Sequence, residues 1–265
     1  MDNVSERAGV TNRFDLRDSI VIVTGGGKGI GKVYAQNFAQ AGAKVVAADI
    51  DAAAAAEVAG AINADGGSAM ALGVDISDPA SCDDMAHRTL DRFGAITVLV
   101  NNAALMSTLP RRSWLEIPPE EWDSVMAVNL RGMFLCCRAV FPAMKARGYG
   151  KIVNISSSRI WEGSPNRLHY TTSKAGVVGF TRALSREVGS AGVTVNAVTP
   201  GFTLSETQVQ SSAAGYVQGR SYAEQAIPRA QVPDDLVGAV LFLSSAASDF
   251  MSGQTLNVDG GKTMH

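Results

Sequence analysis

Residues 19–31 read Ser-Ile-Val-Ile-Val-Thr-Gly-Gly-Gly-Lys-Gly-Ile-Gly. An apolar β-branched run ends in a glycine turn and the pattern then becomes helical, which is the order of a strand, a tight turn and a helix able to hold a pyrophosphate. The spacing is Gly-x-x-x-Gly-x-Gly, set by Gly25, Gly29 and Gly31. Gly25 permits the turn, Gly29 lets the backbone approach a phosphate, and Gly31 allows the helix to pack closely on the strand. The helix N-terminus supplies N–H donors and a partial positive charge. Lys28 and Ile30 belong to the same turn, Lys28 either assisting a phosphate or standing as an exposed loop lysine.

Outward from this turn, short β-branched runs recur at 19–23, 44–48, 69–74, 97–100, 151–155, 193–198 and 255–258, with helical patterns between them. Strands alternating with amphipathic segments are βαβ units, and right-handed crossovers place their helices on both faces of one sheet. The expected fold is α/β, a single Rossmann-type doubly wound parallel sheet of about seven strands. Helices are expected over 31–40, 52–64, from Asp78-Pro79, over 119–147 with a kink at Pro142, and over 169–189. The polar segment 1–17 is expected to be a disordered or extended leader, and 18–265 a single domain. Its segment 203–227 has no clear strand and is read as a lid or substrate loop.

Bulk composition removes several function classes. In 265 residues the formal net charge is −2, which leaves no electrostatic footprint for nucleic acid or an anionic membrane. No run approaches the roughly 20 consecutive apolar residues that span a bilayer. The three cysteines, Cys82, Cys136 and Cys137, have no metal-ligand spacing and suit a reduced, cytoplasmic setting, so neither a metal nor a disulfide framework is expected.

Polar residues fall where the strands end. Asp49 closes the second strand, eighteen residues after Gly31, where a carboxylate hydrogen-bonds an adenosine 2′-hydroxyl and repels a 2′-phosphate, so NAD is expected over NADP. Asp51 is the better N-cap for the alanine helix that follows. Asp75-Ile76 and Asn101-Asn102-Ala103-Ala104 end the third and fourth strands and are expected to line the same crevice. Ser157 closes the fifth strand, and Tyr170 and Lys174 stand one helical turn apart. Using a tyrosine as a base near neutral pH requires lowering its pKa by roughly 3 units, or about 4 kcal/mol. One ammonium at about 4 Å supplies that much at an effective dielectric near 20. Ser157 then holds a substrate oxygen while Tyr170 moves its proton. Alternation sends the side chain of Ser156 to the opposite face.

Over roughly 19–261 these residues resemble the short-chain dehydrogenase/reductase family: the turn 24–31, the Asn-Asn-Ala element at 101–104 with Ala104 replacing a glycine, and Ser157, Tyr170 and Lys174. The resemblance implies a homotetramer and a fourth catalytic residue, Asn129, whose main chain holds a water. It also implies a turn at Pro200-Gly201 under the nicotinamide, with Thr203 or Ser205 holding the carboxamide. Residues 227–236, with His169-Tyr170, are similar to NAD-dependent dehydrogenases of aromatic secondary alcohols. The expected activity is hydride transfer between NAD(H) and a small-molecule secondary alcohol or ketone. A 3-oxoacyl thioester reductase using NADPH is the alternative within the enzyme class, and a silent dinucleotide-binding scaffold the alternative outside it.

Leu105, Met106, Trp114, Trp161, Phe202, Tyr216 and Tyr222 are candidates for an apolar substrate pocket. Arg111, Arg112, Arg159, Arg167 and Arg220 lie in the same loops as candidates for binding an acid or phosphate, and His169 is read as a flanking surface residue.

Overall fold

The computed structural model describes residues 13–207 and 221–264. Seven parallel strands, β1 (Ile20–Thr24), β2 (Lys44–Asp49), β3 (Ser68–Gly73), β4 (Val98–Asn101), β5 (Gly150–Ile155), β6 (Val193–Pro200) and β7 (Thr255–Val258), form one sheet. Their spatial order is β3-β2-β1-β4-β5-β6-β7. The order reverses between β1 and β4, so the chain leaves these neighbours in opposite directions and a crevice opens at their carboxyl ends.

Alternation along each strand builds two cores. Val21 and Val23 of β1, Val45 and Ala47 of β2, and Val98 and Val100 of β4 pack to one face. Ile22, Val46 and Leu99, their neighbours in sequence, pack to the other. Both faces are covered, which is why the strands read as continuous apolar runs instead of alternating ones. On the first face lie α1 (Gly29–Gln40), α2 (Ala52–Ala64) and α8 (Asp234–Ser244); on the second lie α3 (Pro79–Phe93), α5 (Met133–Arg147) and α7 (Leu168–Val188). Asp78 caps α3 by accepting from Ala80 N–H at 3.1 Å.

The expected single helix over 119–147 is interrupted. It consists of α4 (Pro119–Met126), a wide π turn (Ala127–Gly132) and then α5. The departure from α geometry lies at this turn, while Pro142 sits inside α5 without ending it. Gly132 lets the turn press against the end of β3, where a Cβ would meet the Ile76 side chain at 2.9 Å. By length and composition the 29-residue run Pro119–Arg147 is apolar enough to cross a membrane, which the sequence reading overlooked. In the fold it packs against α3, α7, β4 and β5.

A short helix α6 (Arg159–Glu162) follows β5, and Thr203 bridges in parallel to Gln231. The expected leader falls largely on residues 1–12, outside the described residues. Leu16 is buried in the first core, and the Phe14 ring lies 6.3 Å from Phe242. Residues 208–220 of the expected substrate loop also lie outside the described residues.

Beneath the crevice a buried polar chain ties β4, β5 and α7 together. Asn101 Nδ2 donates to Asn154 Oδ1 at 2.9 Å, and Asn154 Nδ2 donates to Thr181 Oγ1 at 3.0 Å. Each bond contributes about 1 kcal/mol net, but an orphaned buried partner costs about 1–3 kcal/mol. Asn154→Ala is therefore expected to lower unfolding free energy by about 3 kcal/mol. An unchanged urea midpoint would show that the chain is not a stabilising link.

Candidate active site

The glycine turn holds its shape through its neighbours. Gly25 and Gly29 have φ of +62° and +55°, conformations that L side chains rarely adopt. A Cβ on residue 31 would lie 2.0 Å from Gly25 O, so only glycine lets α1 settle there. Asn102 Nδ2 donates to Thr24 O at 3.0 Å and Gly25 O at 3.2 Å, and Thr24 Oγ1 accepts from the N–H groups of Asn102 and Ala103. Lys28, the N-cap residue of α1, does not cap the helix with its own side chain. Gly29 N–H donates instead to Glu206 Oε1 at 3.2 Å, with Lys32 Nζ 3.8 Å from the same carboxylate. A protein oxyanion thus sits on the α1 N-terminus, and the turn fits the pyrophosphate of a dinucleotide.

Asp49 is half-buried at the end of β2 and lines the cleft. Its Oδ2 accepts from Gly27 N–H at 2.9 Å and its Oδ1 from Asp51 N–H at 3.0 Å, so the glycine turn itself orients the carboxylate. Asp51 caps α2, accepting from Ala54 N–H at 3.1 Å. It also takes Lys28 Nζ at 2.6 Å, and this exposed pair raises the lysine pKa and keeps the ammonium turned toward Asp51. Lys28, Gly29, Ile30, Asp75, Ile76, Asn102 and Ala103 line the same cleft. Asp75 Oδ1 accepts from the N–H and hydroxyl of Ser77 at 2.8 and 2.7 Å.

Ser157, Tyr170 and Lys174 meet at the other end of this cleft, all three buried. Ser156 turns away and donates to Lys174 O at 2.7 Å, while Ser157 hydrogen-bonds the Tyr170 hydroxyl. The electrostatics depart from the expectation of one lysine lowering the tyrosine. Burial is the strongest influence on Tyr170 and raises its pKa, against smaller lowering effects from the Ser157 hydrogen bond and the charges of Arg159 and Arg167. Lys174 Nζ lies 5.9 Å from the Tyr170 ring centroid and donates to Ile155 O at 2.7 Å. Burial brings its own pKa down to about 8. Both shifts have one cause, since a low-dielectric wall disfavours either charged form.

Asn129 lies in the π turn behind the cleft. Its Oδ1 accepts from Leu105 N–H at 2.7 Å, and its Nδ2 donates to Leu105 O at 3.2 Å and Ser173 Oγ at 3.1 Å. It therefore pins the loop after β4 to α7. Pro200, Gly201, Thr203 and Ser205 line the cleft beside Tyr170. Thr203 Oγ1 is turned onto Gly201 O and Gln231 Oε1, both at 3.1 Å, whereas Ser205 Oγ stands 3.0 Å from Thr207 Oγ1 near Gly29. Thr207 also lines the cleft and was missed in the sequence, where nothing distinguishes it from other loop threonines.

The substrate end differs from the aromatic pocket expected. Leu105, Met106 and Phe202 line it, together with Arg111, Arg159 and Arg167. Trp114 is 66% exposed on a short 3₁₀ turn, and Trp161 lies in a separate groove with Nε1 3.5 Å from Thr199 Oγ1. Tyr222 does not line the cleft, and Arg112 instead pairs with Glu121 at 3.3 Å. Tyr216 and Arg220 lie outside the described residues. His169 is fully buried, not a surface residue, and its Nε2 lies 3.1 Å from Glu121 Oε1, joining α7 to α4. Glu162, unmarked in the sequence, joins the wall by meeting Lys262 Nζ at 3.0 Å across 100 positions.

A family model described as enoyl-(acyl carrier protein) reductase matches residues 25–263. A (2S)-[(R)-hydroxy(phenyl)methyl]succinyl-CoA dehydrogenase subunit of Thauera aromatica is 38% identical over 249 residues, covering 94% of this chain and 98% of that protein. A short-chain type dehydrogenase/reductase of Mycobacterium marinum superposes with a TM-score of 0.88 at 32% identity, covering 97% of this chain and 100% of that one. The 3-ketoacyl-(acyl-carrier-protein) reductase of Brucella melitensis, solved with NADH, gives 0.84 at 33% identity, covering 93% and 98%.

Gly31→Ala is expected to open the turn and abolish dinucleotide binding. The check is NADH fluorescence enhancement at concentrations that saturate the unchanged protein; a full signal would mean that the turn tolerates a methyl group.

Proposed function

The chain belongs to the short-chain dehydrogenase/reductase family, and we propose that within it the protein is an NAD-dependent oxidoreductase interconverting a secondary alcohol and its ketone. The observation that carries this reading is the convergence of Ser157, Tyr170 and Lys174 on the cleft that also holds the glycine turn and Asp49. Gly25, Gly29, Gly31, Asp49, Asp75, Asn102 and Ser205 are the residues assigned to the dinucleotide. When bound, it supplies the acceptor for a hydride from the alcohol carbon, or the donor of one to the carbonyl carbon.

The chain's own part is to hold the substrate oxygen and move one proton. Ser157 donates a hydrogen bond to that oxygen. Tyr170, as the phenolate, takes the hydroxyl proton as the alcohol becomes a ketone, and as the phenol returns it in the reverse direction. Lys174, its pKa brought down to about 8 by burial, lies beside Tyr170, so the two titrate as a unit and the loss of the pair's first proton supplies the phenolate. Asn129 keeps the loop carrying Leu105 and Met106 in register with α7. The reading includes a cytoplasmic homotetramer packed through α5 and α7.

NAD is assigned on Asp49. A carboxylate about 5 Å from a 2′-phosphate opposes it by about 3 kcal/mol per unit charge at an effective dielectric near 20. Lys28 offsets little of this, because its ammonium is engaged by Asp51. The competing reading, a 3-oxoacyl thioester reductase using NADPH, draws support for its substrate from the likeness to the Brucella reductase, which was solved with NADH, and Asp49 speaks against its cofactor.

Three measurements test the proposal. Tyr170→Phe is expected to abolish turnover of secondary alcohols and ketones while leaving NADH affinity within a few-fold; substantial residual turnover would reject Tyr170 as the proton carrier. Alcohol oxidation is expected to rise with pH through about 8, where the buried Lys174 unit loses its first proton, and ketone reduction to fall there. A flat oxidation profile from below to above that value, with chemistry rate-limiting, would remove the pair as acid and base. NAD is expected to exceed NADP by at least about 100-fold in kcat/KM, and Asp49→Ser to narrow that ratio. Equal use of both cofactors by the unchanged protein would reduce Asp49 to a support for the turn.

A further inference from the structure

Tyr170 is the third residue of α7, and the first turn of a helix is where the backbone is least secured. Arg167, the N-cap residue, does not cap α7 with its own side chain, and the first turn carries no acidic residue. The placement of the tyrosine therefore depends on contacts from other elements. One face of α4 supplies them, where Glu121 and Val125 stand one turn apart. Val125 is fully buried and packs with Tyr170 and Leu109. Glu121 Oε1 lies 3.1 Å from Nε2 of His169, the residue immediately before the tyrosine.

A carboxylate oxygen can only accept, so Nε2 of His169 carries the hydrogen, while its buried Nδ1 has no hydrogen-bond partner among the described residues. A single polar contact, the one to Glu121, thus holds the ring. The other carboxylate oxygen, Oε2, lies 3.3 Å from Arg112 Nη2. Arg112 belongs to the loop after β4, and its N–H donates to Asn166 O at 3.2 Å just ahead of α7. Its Nη1 donates to Glu116 O at 3.3 Å. The same loop brings Leu105 and Met106 to the cleft, and Asn129 holds it at Leu105. Glu121 is a second anchor, which joins that loop to the turn carrying Tyr170. The Glu121 side chain is only 19% exposed, so both of its bonds are shielded from water.

We infer that Glu121 is a positioning residue for the reaction: one carboxylate oxygen sets the turn carrying Tyr170 through His169, and the other sets the substrate loop through Arg112. The inference rests on the oxidoreductase reading above. Neither Glu121 nor His169 lines the cleft, so both act through the residues they hold. Adjacent helix residues point about 100° apart, and a tether on His169 fixes the rotation of the first turn and with it the direction of the phenol. Proton transfer needs that hydroxyl within hydrogen-bond reach of the substrate oxygen, and a misplacement of about 1 Å costs about 100-fold in rate. The two arms act on different constants, His169 on the chemical step and Arg112 on substrate binding.

The experiment follows amide hydrogen exchange and single-turnover kinetics in Glu121→Ala, Glu121→Gln, His169→Phe and Arg112→Gln. Exchange over residues 168–175 is expected to quicken at least about tenfold in Glu121→Ala and His169→Phe, while exchange over 180–188 stays as in the unchanged protein. Kinetics use NAD with the fastest of a panel of secondary alcohols that includes 1-phenylethanol, 2-butanol and 3-hydroxybutyrate. The single-turnover rate constant is expected to fall at least about tenfold in the same two variants, with NADH affinity within a few-fold. Such a rate constant does not depend on the fraction of protein folded. Combining Glu121→Ala with His169→Phe is expected to slow the step no further than either alone. Glu121→Gln keeps a hydrogen bond, since either face of the amide can meet an imidazole that changes tautomer to match, and is expected to recover most of the lost rate. Arg112→Gln is expected to act chiefly through KM. Unmoved exchange in Glu121→Ala, or quickened exchange with an unchanged rate constant, would overturn the inference and leave the oxidoreductase reading standing. Quickened exchange in a protein whose unchanged form oxidises no alcohol and reduces no ketone would sink that reading, and the inference with it.

Discussion

The close approach of α1 to the end of β1 is the constraint from which the cleft follows. A side chain at Gly31 would collide with the Gly25 carbonyl and with Asn102 Nδ2. With hydrogen there, the helix start lies against the strand. Gly29 N–H then meets a carboxylate oxygen, and Gly27 N–H turns to Asp49. The residue assigned to cofactor choice is thus oriented by the turn assigned to the phosphates. Asn102, arriving from β4, closes the arrangement by binding the turn's carbonyls.

Burial sets the chemistry at the other end. Tyr170 and Lys174 share a low-dielectric wall that favours the neutral phenol and the neutral amine, so their pKa values move apart, the tyrosine's up and the lysine's down. The hydrogen bond from Ser157 and the charges of Arg159 and Arg167 oppose that effect on the tyrosine. Acid–base tuning is therefore distributed over several elements, and the arginines that shape the substrate wall belong to it. Asn129 contributes at one remove: its amide spans Leu105 and Ser173, fixing the distance between the loop after β4 and α7. The π turn gives this buried side chain its place between them, a local departure of the kind often found at functional sites.

Where the sequence misled, the cause was distance along the chain. The proline at 142 marked a kink by local rules, but the helix changed geometry where it meets Ile76 and Leu105, contacts far from it in sequence. Aromatic residues in loops near the site look like pocket lining until the loops are folded. Trp161 then faces a different groove, and His169, flanking the tyrosine, turns the other way into the protein toward Glu121. On a helix, adjacent residues lie about 100° apart, so neighbourhood in sequence does not mean a shared environment.

All seven strands, their parallel sense and the glycine turn were legible in the sequence alone, because each depends on short-range patterns: β-branched runs buried on both faces, and glycine where the backbone needs φ above zero. The spacing of Tyr170 and Lys174 on one helix face was legible for the same reason. Only the tertiary structure decided which way Lys174 points, that burial outweighs any single charge on Tyr170, and that Glu162 is held by Lys262. These are sums of desolvation and Coulomb terms over groups from distant parts of the chain. Such sums depend on separation and dielectric, which no local pattern records.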